Sequence, residues 1–458
     1  MPKTLRNTLL SFRDLLPTFG PFILLAIALL VVAYVVLDPN PPKKVVLATG
    51  AEQGAYAEFG KRYAQILKGY GIQVELRSTA GAAENLRLLR DEKSGVDIAF
   101  VQGGAGERAR KEANAVVQQA DDDDEAGLVS LGSLFYEPVW LFYRVDSAQK
   151  LLKSPKLTGL SQLAGWKVNI GARGSGAPNL MFRLFEANRV DAKGTIQLQR
   201  EAQTPATVKL LNGEIDALVF ASAPEALMVQ MLLQTPGIAL YDWTQADAYS
   251  RLFPFLTPVT LPRGVVDLAN DVPPTDVRLL APTATLLARA DTHPALLQLF
   301  MQAAAQIHGN SGWFQRKGDF PKATGTEQPL AKEAQRYYAN GVPVLQRYLP
   351  FWLANLIERM WPVLVSIIAI LIPLSRMLPP LYTFRIRKRI FRWYAQLRDV
   401  EDAVGKKPAD ELLTRLQEIE QRVEHVTVPL SYADELYSLR SHIQMVGNRL
   451  RAATLPAA

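Results

Sequence analysis

The sequence predicts a two-lobed α/β domain set between two membrane-spanning helices and followed by a C-terminal α-helical hairpin. Three observations point there. Between residues 43 and 345, short apolar runs alternate with amphipathic segments across glycine-rich turns, as in parallel sheets covered by helices. Two long uncharged runs flank that region. Beyond residue 376, apolar residues recur at spacings of three and four, the period of an α-helix.

Composition sets the outer limits. A chain of 458 residues has room for two to four domains, and 48% apolar with 21% charged residues is ordinary for folded protein. The lack of cysteine excludes disulfides, iron–sulfur clusters and thiol nucleophiles. Four histidines in all, His293, His308, His425 and His442, do not supply a histidine-rich metal site, and no cofactor or metal is expected. A net charge of +7 raises a nucleic-acid or membrane-surface partner. Arg376, Arg385, Arg387, Lys388, Arg389 and Arg392, however, concentrate directly after the second uncharged run, so the excess reads as topological and no nucleic acid is expected.

From the N-terminus, residues 1–16 carry Lys3, Arg6 and Arg13, and Leu15 to Leu37 is an uncharged run long enough to cross a bilayer, assigned as a transmembrane helix over 17–37. A cleaved signal peptide is the alternative, but the run is long for one and VVAYVVLDPNPP lacks small residues at cleavage spacing. The basic flank places the N-terminus in the cytoplasm. Asp38 to Pro42, DPNPP, is a stiff spacer.

Lys44 to Thr49 is a strand, followed by Gly50, Gly54 and a helix from Ala55 to Lys68. A strand over Ile72 to Ser78, a helix over Ala83 to Asp91 and a strand over Val96 to Gln102 complete a βαβαβ series, which predicts a parallel sheet. The acidic run Asp121 to Glu125 reads as a solvated loop, and Val139 to Val145 as a long strand. A new series begins at Trp166 and includes Thr195 to Leu198 and the strand Ala217 to Phe220. Thr260 to Leu268, Arg278 to Ala288 and a helix over Pro294 to His308 would return to the first lobe. Lobe I is thus expected at about 43–140 and 255–345, lobe II at about 145–250, with a cleft at the strand C-termini.

Within that frame, Val168 to Leu184, VNIGARGSGAPNLMFRL, runs from an apolar strand through Gly171, Gly174 and Gly176 into a helix from about Asn179. Such a turn lets backbone approach a ligand, and the helix start favours an anion, with Arg173 adding charge. A turn that binds nothing fits the same residues.

The second uncharged run, Met360 to Ser375, has sixteen residues and would cover about 24 Å of a roughly 30 Å hydrocarbon core. Trp352 and Trp361 can sit at the interface while arginines snorkel, so residues 353–375 are assigned as a second span. A buried helix of a soluble domain is the alternative. The basic cluster then puts residues 376–458 in the cytoplasm and residues 38 to 350 outside. Leu412, Leu416, Ile419, Val423 and Val426 form one stripe, and Leu436, Leu439, Ile443, Val446 and Leu450 another, separated at Thr427 to Leu430 by Pro429. The stripes fit a self-packed hairpin, or docking on a partner or second copy.

Five motifs carry a resemblance: LATGAEQGAYAEFGKRYAQIL, STAGAAENLRLLRDEKSGVDIAFVQGG, FYEPVWLFYRVD, GWKVNIGARGSGAPNLMFRLFEANRV and LNGEIDALVFASAPEALMVQMLL. In this order, over about residues 43 to 310, the chain resembles the TAXI family of solute-binding proteins, which serve TRAP-type transporters and are related to NMT1-like periplasmic binding proteins. The resemblance implies a two-lobed, type II-like periplasmic-binding-protein fold closing on a small ligand, often a carboxylate. Residue by residue, TGAEQGAY places Thr49, Gly54 and Tyr56 at the cleft, and the family's GSGT turn matches Gly174, Ser175, Gly176 and Ala177. Ala55 and Ala177 stand where the family usually has threonine, and losing two hydroxyls puts an amino-dicarboxylate ligand in doubt.

Ser78, Gly81 and Asn85, at the second strand end and helix start, Gln102 at the third strand end, and Phe220 with Ala221 in the other lobe are further candidates, as is Arg173. Tyr56 also fits packing on the next helix, Asn85 a helix surface, and Arg173 solvent or a bridge between lobes. Glu137 and Arg144, flanking the strand at Val139, read as hinge or interlobe groups.

The expected function is a solute receptor anchored in the bacterial inner membrane. Its binding domain would lie in the periplasm with both termini cytoplasmic, capturing a small anionic or zwitterionic organic solute for TRAP membrane subunits. No acid/base, nucleophile or metal constellation marks an enzyme. The alternative is a ligand-sensing signalling or scaffold protein with a cytoplasmic partner at the hairpin.

Overall fold

The computed structural model describes residues 3–105, 127–426, 428 and 432–454, so the acidic run Asp121 to Glu125 and Pro429 lie outside the described residues. The chain divides into two units: Asn40–Asn355, and Met1–Pro39 with Leu356–Ala458.

The Asn40–Asn355 unit has two cores, each built on a sheet. Strands β1 (Lys44–Ala48), β2 (Gln73–Arg77) and β3 (Ile98–Gln102) lie parallel in the order β3-β1-β2. Helices Ala55–Lys68 and Ala82–Arg90 make the returns that parallel neighbours require. The chain then runs from β4 (Leu128–Tyr136) in this core to β5 (Val139–Arg144) in the other. There β6 (Lys167–Asn169), β7 (Gln197–Gln199), β8 (Ala217–Ala221) and β9 (Ile238–Leu240) complete the order β7-β6-β8-β5-β9.

Strands β10 (Leu256–Leu261) and β11 (Val277–Arg289) bring the chain back. Over Val277 to Pro282, β11 pairs with β10; from Thr283 onward it pairs with β4, and from Ala284 with β3. Burial divides it the same way: Val277 to Ala281 pack with Trp140 and Trp166, and Ala284 to Ala288 with Val45 and Phe100. The lobes are therefore joined at Glu137–Pro138 and again within β11. Residues 256–281, assigned from sequence to the first lobe, pack with the second, because one thirteen-residue strand passes through both cores. Strand β4 carries no clear sequence signal; Gly132 interrupts its apolar run, with φ 107°.

In the other unit, the windows Gly20–Leu37 and Phe351–Leu374, the second of which begins within the first unit, are long and apolar enough to cross a membrane. The second helix, Phe351–Ser375, has 25 residues because it continues through Glu358 and Arg359. At about 1.5 Å per residue its apolar window exceeds the roughly 30 Å core that the uncharged run alone fell short of.

Helices Leu378–Asp402, Ala409–Glu424 and Ala433–Thr454 follow. The expected hairpin has a third member. Ile390, Trp393, Leu397 and Val400 of the basic helix are buried with Leu412, Leu416, Ile419 and Val423 and with Leu439, Ile443, Val446 and Leu450. Both predicted stripes are thus consumed by packing within the bundle, which leaves those positions no apolar face for a partner. The density of arginine in the first helix hid its own stripe.

Leu439 is fully buried in this bundle. Leu439→Asp places an unpaired charge there, a cost on the order of 3–5 kcal/mol. In limited trypsin digestion of the detergent-solubilised chain, cleavage at Arg415, Arg422 and Arg440 is expected to accelerate while the Asn40–Asn355 unit keeps its resistance.

Candidate ligand-binding site

Strand ends of both sheets meet at one cavity of about 320 Å³. Its wall is made by Gly50–Ala51 after β1, Thr79–Ala82 after β2, Gln102 ending β3, Gly171–Ala172 after β6, Ala202–Gln203 after β7, and Phe220–Ser222 at the end of β8. This is where an open α/β sheet leaves its crevice.

Four helices also begin here: Ala55–Lys68, Ala82–Arg90, Ala177–Ala187 and Gln203–Asn212 have N-cap residues Gly54, Gly81, Gly176 and Ala202, all on the cavity wall. None of the four has a side-chain cap. First-turn amides are left to water or a ligand, and four positive dipole ends bear on one space. Among the described residues, no lysine or arginine lines the cavity.

Two polar side chains stand out on the wall. Gln102 is 3% exposed, and its Nε2 has no hydrogen-bond partner, so a buried donor waits for an acceptor. Glu137 is equally buried and accepts the Tyr56 hydroxyl at 2.6 Å. Stacking on Phe100 at 5.1 Å fixes the Tyr56 ring. Burial lifts the Glu137 carboxyl from its ordinary 4.5 to about 7, with the Tyr56 hydrogen bond opposing. Burial and the Glu137 charge push the Tyr56 hydroxyl well above its usual range. Glu137 lies where the chain first crosses between lobes, and its backbone N–H donates to Pro282 O on the second crossing strand at 2.9 Å. The hinge reading of Glu137 and a place on the cavity wall therefore coincide.

Of the residues singled out from sequence, Gly54, Tyr56, Gly81, Gln102, Ser175, Gly176, Ala177 and Phe220 line the cavity. Thr49, Ser78 and Asn85 stand behind it and hold its frame. The Asn85 amide donates to Thr49 O and, at 2.8 Å, to Phe100 O, while its oxygen accepts from Thr79 Oγ1 at 2.7 Å. Thr49 Oγ1 donates to Arg77 O at 3.2 Å, and Ser78 Oγ to Gly50 O at 3.1 Å. Arg173 and Gly174 are not on the wall: both line a separate groove with Arg87, Arg90 and Arg200. The turn offers backbone to the cavity through Gly171–Ala172 and Ser175–Ala177 and carries Arg173 outward between them. Arg144 serves the second lobe, donating to Leu210 O at 3.0 Å at the C-terminal end of helix Gln203–Asn212.

Sequence reasoning missed Asn169, Thr79 and the Ala202 helix start. Asn169 Oδ1 accepts from Glu201 N at 2.8 Å and thereby sets the turn into Ala202. A buried amide closing the apolar strand KVN was the available signal.

The two jaws touch. Glu84 N–H donates to Gly174 O at 3.0 Å, Asn179 Nδ2 to Ala105 O at 3.1 Å and Thr204 Oγ1 to Gln53 Oε1 at 2.9 Å. At Gly81 the approach is closest, for a Cβ there would lie 3.1 Å from Ser175 Cα, and φ is 134°.

A family model described as NMT1-like matches residues 47–340. No curated protein matches the chain. Among solved structures, similarity extends to a protein from Bordetella bronchiseptica RB50, 16% identical over 58% of this chain and 70% of that one, with a TM-score of 0.38. The regulatory domain of CcmR from Synechocystis PCC6803 in complex with 2-PG is 14% identical over 58% and 98%, TM-score 0.36. The alkanesulfonate-binding protein SsuA from Xanthomonas axonopodis pv. citri, bound to MOPS, is 12% identical over 58% and 73%, TM-score 0.33.

Gly81→Ala is expected to hold the jaws apart. Spin labels at Glu52→Cys and Glu214→Cys, in a chain with no other cysteine, should report a longer and broader distance than in the Gly81 parent. For Glu137, the folded chain retains between pH 4.5 and about 7 a proton that the unfolded chain has released. Stability therefore falls as pH rises through that window, by on the order of 3 kcal/mol, and levels off above it. Glu137→Gln is expected to remove that slope in thermal melts followed by tryptophan fluorescence.

Proposed function

The chain belongs to the NMT1-like family, and from that premise we propose that the Asn40–Asn355 unit is a receptor enclosing a small organic solute that bears a carboxylate or similar oxyanion. The single observation carrying this reading is the convergence of four uncapped helix starts, from both lobes, on one cavity. Backbone amides and Gln102 Nε2 supply donors for the anion without a cationic side chain. Glu137 supports a second polar group on the ligand: an ammonium as in a zwitterion, or a hydroxyl. With Ala55 and Ala177 in place of threonines, an amino-dicarboxylate fits less well than a ligand with one acid group and an apolar body against Phe220.

In this reading no bond is made or broken; ligand binds the closed form better and shifts the population toward it. Helices Lys3–Leu37 and Phe351–Ser375 anchor the receptor in an inner membrane, with the binding unit in the periplasm and both termini cytoplasmic. A TAXI-type role follows, in which the loaded receptor delivers solute to TRAP membrane subunits. The three-helix bundle after the second apolar helix favours a second role, reporting ligand occupancy to a cytoplasmic partner.

Calorimetric titration of the full chain in detergent with monocarboxylates, dicarboxylates, amino acids, neutral sugars and polyamines tests the ligand class. Saturable binding is expected for acids with one carboxylate, weakening on Gln102→Ala by about 1–3 kcal/mol. Binding confined to sugars or polyamines overturns the anion reading.

A further inference from the structure

We propose that the helix Leu378–Asp402 lies along an anionic lipid surface, with Met377, Leu381, Phe384 and Phe391 seated at the headgroup boundary and the flanking arginines on lipid phosphates. The proposal rests on Phe351–Ser375 being a membrane span. It goes beyond charge retention at a membrane exit, because it concerns a helix with two apolar faces.

One face is already occupied. Ile386, Ile390, Trp393, Leu397 and Val400 are buried in the three-helix bundle. At about 100° per residue, these five span an arc of about 80°, and Met377, Leu381, Phe384, Lys388 and Phe391 span a second arc of about 80° centred about 180° from the first. Yet the four apolar residues of the second arc are 44–67% exposed, with the helix Lys3–Leu37 also in contact with this one. A helix that buries a full stripe in its own fold has no folding reason to carry another opposite it.

Charge and continuity identify the occupant. Arg385 and Arg392 border the exposed arc on one side and Arg387 on the other; all three, with Lys388, are exposed. Arg387 is steadied by Glu435, Nε to Oε1 at 3.0 Å. No acidic residue occurs between Arg376 and Arg398, so a second copy docking by the same face would set cation against cation. Anionic lipid complements it instead, with arginine on phosphate and phenylalanine at the acyl boundary. Only a turn at Arg376–Met377 separates this helix from Phe351–Ser375, and Pro379 and Pro380 sit in its first turn, where proline is tolerated. The exposed face thus begins where the apolar span ends.

The test uses the full chain reconstituted into phosphatidylcholine vesicles with and without phosphatidylglycerol. A polarity-sensitive fluorophore is placed at Phe384→Cys or Phe391→Cys, with Tyr437→Cys on the bundle's outer face as control. With phosphatidylglycerol, the probes at 384 and 391 are expected to shift to the blue and to be quenched by lipids brominated on the acyl chain, while the control is not. Arg385→Glu combined with Lys388→Glu should abolish the shift. Probes as water-exposed as the control overturn the proposal, as does a blue shift that grows with protein density and ignores brominated lipid, which indicates a second copy. Alkaline carbonate extraction separates the underlying reading. A chain that leaves the vesicles refutes the span and the proposal together, whereas a retained chain with exposed probes refutes the proposal alone.

Discussion

A buried anion can be held without a cationic side chain only if enough backbone donors converge on it, and that requirement shapes the Asn40–Asn355 unit. A helix start contributes a fraction of a charge and a few amides. Four of them reach one cavity because β1, β2, β6 and β7 all end there and each is followed by a helix. Both sheets must therefore present the same edge to the same space, which the two crossings between lobes accomplish. The residues at the four N-caps, three glycines and an alanine, are what this task demands: a capping serine or aspartate would satisfy the amides that the ligand needs.

The Tyr56–Glu137 pair links this site to the crossing. Tyr56 belongs to the first helix of one lobe and Glu137 to the segment that leaves for the other, with a backbone hydrogen bond to the second crossing strand. A carboxyl buried this deeply favours its protonated form, and the four dipole ends favour its charged form. A ligand carboxylate beside it would press toward protonation, and a ligand ammonium toward ionisation. Ligand choice, proton occupancy and the geometry of the joint between lobes thus meet in one side chain.

The alternation of strand and helix over Lys44 to Gln102 was legible because each apolar run is closed by a glycine-rich turn, and the same reasoning located eight of the thirteen singled-out residues on the cavity wall. Thr49, Ser78 and Asn85 were misassigned because a polar residue at a strand end looks alike whether its hydrogen bonds go to ligand or to the neighbouring loop. Arg173 was misassigned for another reason: a charge within a ligand-binding turn faces the ligand or solvent according to local φ and ψ, which composition does not reveal. Glu137 was seen as a hinge group but not as a wall residue, since that depends on Tyr56, 81 positions away. The third bundle helix was hidden by its own arginines, which mark a membrane exit as readily as the polar side of a packed helix.

The most direct test of the central claim is a high-resolution structure of the chain with its natural ligand retained. The account predicts ligand oxyanion atoms within about 3 Å of first-turn amides from at least two of the four helices and of Gln102 Nε2, with no guanidinium in contact. An arginine such as Arg173 turned inward onto the anion, or a neutral or cationic group facing the helix starts, would contradict it.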